Sequence, residues 1–209
     1  MTSERVYSGL SPDQRDAERR RRLLDTGREL FGTLGFTGTS IERLCAESRV
    51  STRHFYVLYD NKEAAFLDVY GEIMTGAFER ALESLAETQG EHIEVRLPRA
   101  VIAYLGPMIE DVRATRIAFL ECTGAGPRVA DRELDDREAL IALVEEEGAA
   151  AVERGEARDR DFRFATLALA GAVNSIVVDW VTRSADASPD EVEAFEHQLA
   201  DLAITLLIR

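Results

Sequence analysis

The stretch from Thr39 to Lys62 leaves the chain few ways to fold. Thr39 followed by Glu42 has the spacing of a capping box, in which two side chains satisfy each other's orphan amides and start a helix. Ile41, Leu44 and Cys45 form the apolar side of that helix, which is over by about Ser48. Ser51 is a second N-cap, and from it Phe55, Leu58 and Tyr59 fall at helical spacing. Thr52, Arg53, His54 and Tyr56 are left free to point away from the core. Two short helices, a tight turn between them and the start of a third predict a helix-turn-helix.

The rest of the chain also reads as helices, so the predicted class is all-α, with about nine helices. Residues 1–14, with Gly9, Ser11 and Pro12 and no periodicity, predict a disordered arm. A helix begins at Asp16, buries Leu23, Leu24, Leu30, Phe31 and Leu34, and ends at Gly35. Its basic run Arg19 to Arg22 is either a solvated face or a contact with phosphates or the minor groove. Asp60 or Asn61 caps a long helix, apolar at Phe66, Val69, Tyr70, Ile73, Met74, Ala77, Phe78, Ala81, Leu82 and Leu85, about 40 Å long and over by Gly90 and His92.

Beyond it, a helix from Glu94 to Tyr104 is broken or kinked by Gly106-Pro107. Another runs from Asp111 to Thr123. The Gly124-Ala125-Gly126-Pro127 sequence then reads as a helix break, because no strand precedes it as a phosphate-binding loop requires. Asp131 to Arg154 is a charged amphipathic helix whose Glu145, Glu146 and Glu147 face solvent. Neighbours on a helix fan out by about 100° per residue and do not converge on one cation, so no metal is expected there. Phe162 to Val181 is apolar nearly all round and must be covered all round. Ser188 and Pro189 open the final helix, with Val192, Phe195, Leu199, Leu202, Ala203, Leu206 and Leu207 on its apolar side. One protomer of this size cannot wrap both, which implies a second copy.

Net charge decides which end of the chain could meet a polyanion. The 209 residues carry a formal charge of -14. Up to Lys62 there are 11 Lys and Arg against 9 Asp and Glu; beyond it there are 14 against 30. The acidity therefore belongs to the second part, as in a DNA-facing module joined to a body that repels DNA. No uninterrupted apolar run reaches the roughly 18 residues of a membrane span, and the N-terminal residues lack a signal peptide's apolar segment, so the cytoplasm is expected and a membrane is not. Cys45 and Cys122 sit in apolar helical patterns and read as buried, reduced thiols.

The pattern Phe-x-x-x-Gly-Phe-x-x-Thr-Ser-Ile from Phe31 to Ile41, followed by Val50-Ser51, Phe55-Tyr56, Tyr59 and Lys62-Glu63, resembles the DNA-binding domain of the TetR family of bacterial transcriptional regulators. The resemblance covers residues 15 to 70 or so. It departs at Arg49, where the family usually has Gly, and a left-handed turn residue costs a non-Gly side chain roughly 1 kcal/mol. The resemblance implies a three-helix DNA-binding domain over residues 15–62 and a ligand-binding and dimerisation domain over residues 63–209. It further implies a homodimer formed through the last two helices, double-stranded DNA with a palindromic operator as partner, and a small-molecule effector that releases a repressor from it.

The first residues of the second helix of such a motif meet base edges, here Thr52, Arg53 and His54, and Arg53 can grip a guanine with two bonds. Tyr56, Ser40 or Thr39, and Lys62 match family positions that hold phosphates, and Arg43 is either a further phosphate contact or a solvated residue. Tyr70, Met74, Tyr104, Met108, Phe119, Asn174 and Trp180 are the large or polar groups expected of an apolar ligand cavity with a few anchors, although core packing explains most of them as well. No cofactor is expected. A helical-bundle enzyme is the rival class, but His54, His92 and His197 stand in separate elements and no catalytic constellation is present. A regulator that senses redox through Cys122 is the other alternative.

Overall fold

The computed structural model describes residues 11–183 and 187–209. The arm expected at the N-terminus lies outside the described residues up to residue 10. Among the described residues every regular element is helical: α1 (Pro12–Gly38), α2 (Ile41–Ser48), α3 (Thr52–Leu58), α4 (Lys62–Glu87), α5 (Ile93–Ile109), α6 (Val112–Arg116) with a π-helical turn behind it (Ile117–Glu121), α7 (Pro127–Glu153), α8 (Phe162–Arg183) and α9 (Pro189–Leu207).

The helix starts follow local chemistry that spacing only partly exposed. α1 opens four residues before Asp16, because Ser11 and Gln14 form a reciprocal capping box and Pro12 occupies the first helical position. At Gly35 the helix kinks instead of ending (φ 79°, ψ 169°), a conformation open to glycine alone among ordinary residues. α4 starts after Asn61, whose side chain accepts the Ala64 amide at 2.8 Å. α7 starts at Pro127 rather than Asp131, and its N-terminal cap comes from a distant helix: Glu63 on α4 accepts the Arg128 amide at 2.8 Å.

α5 corrects the expected break. It runs unbroken through Pro98 and Pro107, and Glu110 still donates to Gly106 at 2.9 Å beyond the second proline. A proline removes one donor and crowds one carbonyl, but α5 packs between α4 and α9 and that burial holds the turn.

The main core joins the DNA-binding helices to the start of the regulatory domain without a seam. Phe31 on α1 and Phe66 on α4 pack edge to face at 5.1 Å, with Phe36 against Phe66 at 5.3 Å. Both Phe31 and Phe66 are fully buried, and an edge-to-face pair adds about 1 kcal/mol to the area each buries. A second, smaller cluster gathers Ile93, Ala151, Ala165, Ile204, Leu207 and Ile208 where the start of α5 meets the ends of α7 and α9.

α8 is long and apolar enough to span a membrane by length and composition, contrary to the expectation that no segment would be. In the fold it packs against α7 and α9. Its inner side buries Phe162, Ala165, Thr166, Val173 and Val177, while Phe164, Leu167 and Ile176 stay exposed on the protomer.

Candidate DNA-recognition surface and ligand cavity

The α2 N-cap is Ser40, not Thr39: its hydroxyl accepts the Arg43 amide at 3.2 Å. Thr39 is 1% exposed, with its hydroxyl turned inward on the Gly35 carbonyl at 2.8 Å. The turn that Gly35 introduces carries Thr39 into the core, so Thr39 holds the kink and does not face a phosphate. Between α2 and α3, Arg49 takes the left-handed conformation (φ 56°, ψ 37°) that its position demands.

Ser51 then caps α3, accepting the His54 amide at 3.3 Å, and its Oγ lies 2.7 Å from His54 Nδ1. The cap thereby fixes the histidine ring at the start of the recognition helix. Phe55 and Tyr59 are buried and hold the helix down. Thr52, Arg53 and Tyr56 are exposed on its outer side. Val57, 64% exposed, stands with them. Sequence reasoning passed over it, although it lies off the stripe of Phe55, Leu58 and Tyr59. Arg15 and Arg19 on α1 line a shallow cleft with Arg53, His54 and Val57, so part of the basic face of α1 adjoins the recognition helix. Arg43 is exposed and pairs with Glu47 one turn on, at 2.7 Å.

Two cations work inside the domain. Lys62, expected at a phosphate, donates to the Phe36 carbonyl at 2.7 Å and the Thr39 carbonyl at 2.9 Å, and sits 4.2 Å from the centre of the Phe36 ring. Burial lowers its pKa. Its ammonium closes the junction between α1 and α2. Arg20 grips both oxygens of Asp68 on α4 at 2.7 and 2.5 Å, and Tyr59 donates to the same carboxylate at 2.5 Å. Burial works against the Asp68 charge, yet the Arg20 and Tyr59 bonds outweigh it and hold Asp68 below the usual carboxylate range.

A cavity of about 210 Å³ lies between α4, α5, the π turn, α7, α8 and α9. Of the residues expected to line it, Met74, Tyr104 and Phe119 do so. Burial, and then Asp136, pushes the Tyr104 phenol up to about 12. Tyr70 and Met108 are buried in the core beside it and are not among its lining residues. Asn174 is exposed: it is one position past Val173, which lines the cavity, and a single helical step turns it outward. Trp180 is stacked on Phe195 at 4.2 Å and is also absent from the wall. Sequence reasoning missed Ala118, Val144, Phe162 and Glu147, whose helices alternate core and solvent in a way that gives no sign of a void between them.

A helix-turn-helix packed on a helical body that holds an apolar cavity is the architecture of a DNA-binding regulator of transcription. The family model for bacterial regulatory proteins of the tetR family matches residues 23–69. None of the curated proteins matches the sequence. Among solved structures, the fold is similar to FadR from Bacillus subtilis in complex with stearoyl-CoA, with a TM-score of 0.77 and 15% identity over 88% of this chain and 97% of that one. It is also similar to the fatty acid degradation regulator FadR from Bacillus halodurans, with a TM-score of 0.79 and 15% identity over 97% and 100% of the two chains. The TetR family transcriptional regulator PfmR from Thermus thermophilus aligns with a TM-score of 0.67 and 19% identity over 90% and 100%.

Proposed function

We propose that the protein is a cytoplasmic repressor that binds a palindromic operator as a homodimer and leaves it when an apolar small molecule enters the cavity. The observation that carries this reading is the apolar cavity, whose walls include α4, the helix that buries Phe66 among the DNA-binding helices. Arg53 reads a base edge, with Thr52, His54 and the Val57 methyls beside it, while Ser40, Arg43 and Tyr56 hold phosphates. The exposed Phe164, Leu167 and Ile176 of α8, with α9, form the surface on which two copies meet. An acyl chain suits the cavity, in keeping with the stearoyl-CoA held by the similarly folded FadR.

Redox sensing through Cys122 has less support. Its thiol is buried, donates to the Ala118 carbonyl at 3.1 Å, and is pushed up by burial, away from the reactive thiolate.

Selection of bound fragments from a random duplex pool, followed by sequencing, tests the proposal. A palindromic motif is the expected result, with loss of the complex when an apolar ligand that fills the cavity is added. Enrichment of a single unpaired half-site would overturn the dimeric reading, and a complex indifferent to every apolar ligand would overturn the effector reading.

A further inference from the structure

The cavity wall carries a single charged residue, Glu147 on α7. It is not solitary. Arg96, near the start of α5 and 7% exposed, grips it with both terminal nitrogens: Nη1 to Oε2 at 2.7 Å and Nη2 to Oε1 at 3.0 Å. The third guanidinium donor, Nε, is buried without a hydrogen-bond partner. Apolar groups share the cavity wall with Glu147, among them Ile93 and Leu97 from α5, Val144 from α7, Phe162 from α8 and Ile208 behind α9. The nearby Thr166 hydroxyl is already committed to the Phe162 carbonyl at 2.7 Å. A partly buried ion pair with an unused donor, set beside an apolar cavity, is a poor device for stability, since a hydrophobic pair of similar volume does as well or better.

The chemistry of the pair discriminates between head groups. Glu147 Oε1 accepts a hydrogen bond from Arg96 Nη2 while Oε2 lies 2.7 Å from Nη1, and each oxygen keeps a lone pair for a further donor. A ligand carboxylate meets the Glu147 charge in a medium that screens it poorly, and could reach Arg96 only by displacing Glu147 and leaving that carboxylate unpaired. A ligand ammonium must shed its own water to join a pair that is already neutral. A neutral hydroxyl meets neither obstacle and donates to a free lone pair of the Glu147 carboxylate.

We infer that the Arg96–Glu147 pair is the head-group reader of the cavity, selecting a neutral apolar molecule that ends in a hydroxyl and excluding the corresponding carboxylic acid. This rests on the cavity being the effector site.

Calorimetric titration of the purified protein at neutral pH with decanol, its methyl ether and decanoate tests it. Decanol is expected to bind at least about tenfold more tightly than either of the others, the worth of one hydrogen bond to a charged group. In Glu147→Gln the gap between decanol and decanoate should shrink by about tenfold, because the repelling charge is gone. Should that variant melt early, the double variant Arg96→Met with Glu147→Met replaces the pair by apolar volume and should bind the ether and the alcohol alike. Equal binding of decanol and its ether by the unaltered protein, or tighter binding of decanoate, overturns the head-group assignment while leaving the cavity as an effector site. Failure of all three ligands to bind overturns both.

Discussion

The carboxylate of Glu121, at the end of the π-helical turn, accepts the Phe36 backbone amide at 2.7 Å. Phe119, two residues earlier in the same turn, lines the cavity, and Phe36 follows the Gly35 kink that leads into the helix-turn-helix. The kink frees an amide, the π turn carries the acceptor, and a Cβ at residue 35 would stand 2.7 Å from the same carboxylate oxygen. Single π turns of this kind are frequent at functional sites. The cavity wall and the recognition motif thus share one short rigid element.

Removing that acceptor should loosen the junction. Glu121→Ala leaves the Phe36 amide without its partner and is expected to destabilise the protein by about 1 to 3 kcal/mol in urea denaturation. Operator affinity should fall alongside. An unchanged urea midpoint would show that the amide finds another acceptor and that Glu121 is not the link.

Lys62 and Arg43 should behave differently on DNA. Arg43→Ala is expected to weaken binding to all sequences alike and to reduce the slope of log affinity against log salt by about 1, as loss of one phosphate contact does. Lys62→Ala removes a donor from the Phe36 and Thr39 carbonyls, so its signature is a lower melting temperature with the salt slope kept. Arg53→Ala should cost about 1 to 3 kcal/mol at one base position and relax preference there. Binding to operator variants across a salt series separates the three.

Arg49→Gly should raise stability. The left-handed conformation costs a non-Gly residue roughly 1 to 2 kcal/mol, and glycine's greater freedom in the unfolded chain returns part of that, leaving a gain of about 0.5 to 1 kcal/mol. A urea midpoint that moves down would mean that Arg49 makes contacts worth more than its backbone strain.

The Arg20–Asp68–Tyr59 network should show in acid. Asp68 titrates below its ordinary value in the folded protein, so its contribution is present above the unfolded carboxylate pKa of about 3.9 and is lost as pH falls through the folded value. Asp68→Asn is expected to lower stability at neutral pH and to flatten the loss of stability below about pH 4. Parallel acid profiles for the two proteins would remove Asp68 from the account.

By itself the sequence determined the helical class, the helix-turn-helix and which residues of α3 turn away from the core. Each depends on interactions within a few residues: the Ser51 cap and the Phe55 and Tyr59 stripe can both be read from spacing. The tertiary structure decided where residues far apart in the chain meet. Glu63 capping α7, Lys62 closing the α1–α2 junction and Glu121 holding the Phe36 amide join partners that no local pattern connects. The cavity belongs to the same class of fact. Periodicity tells which face of a helix is apolar, but whether that face meets a neighbour or a void depends on how six elements pack. This is why Met74, Tyr104 and Phe119 line it while Tyr70, Met108, Asn174 and Trp180, similar in character, do not.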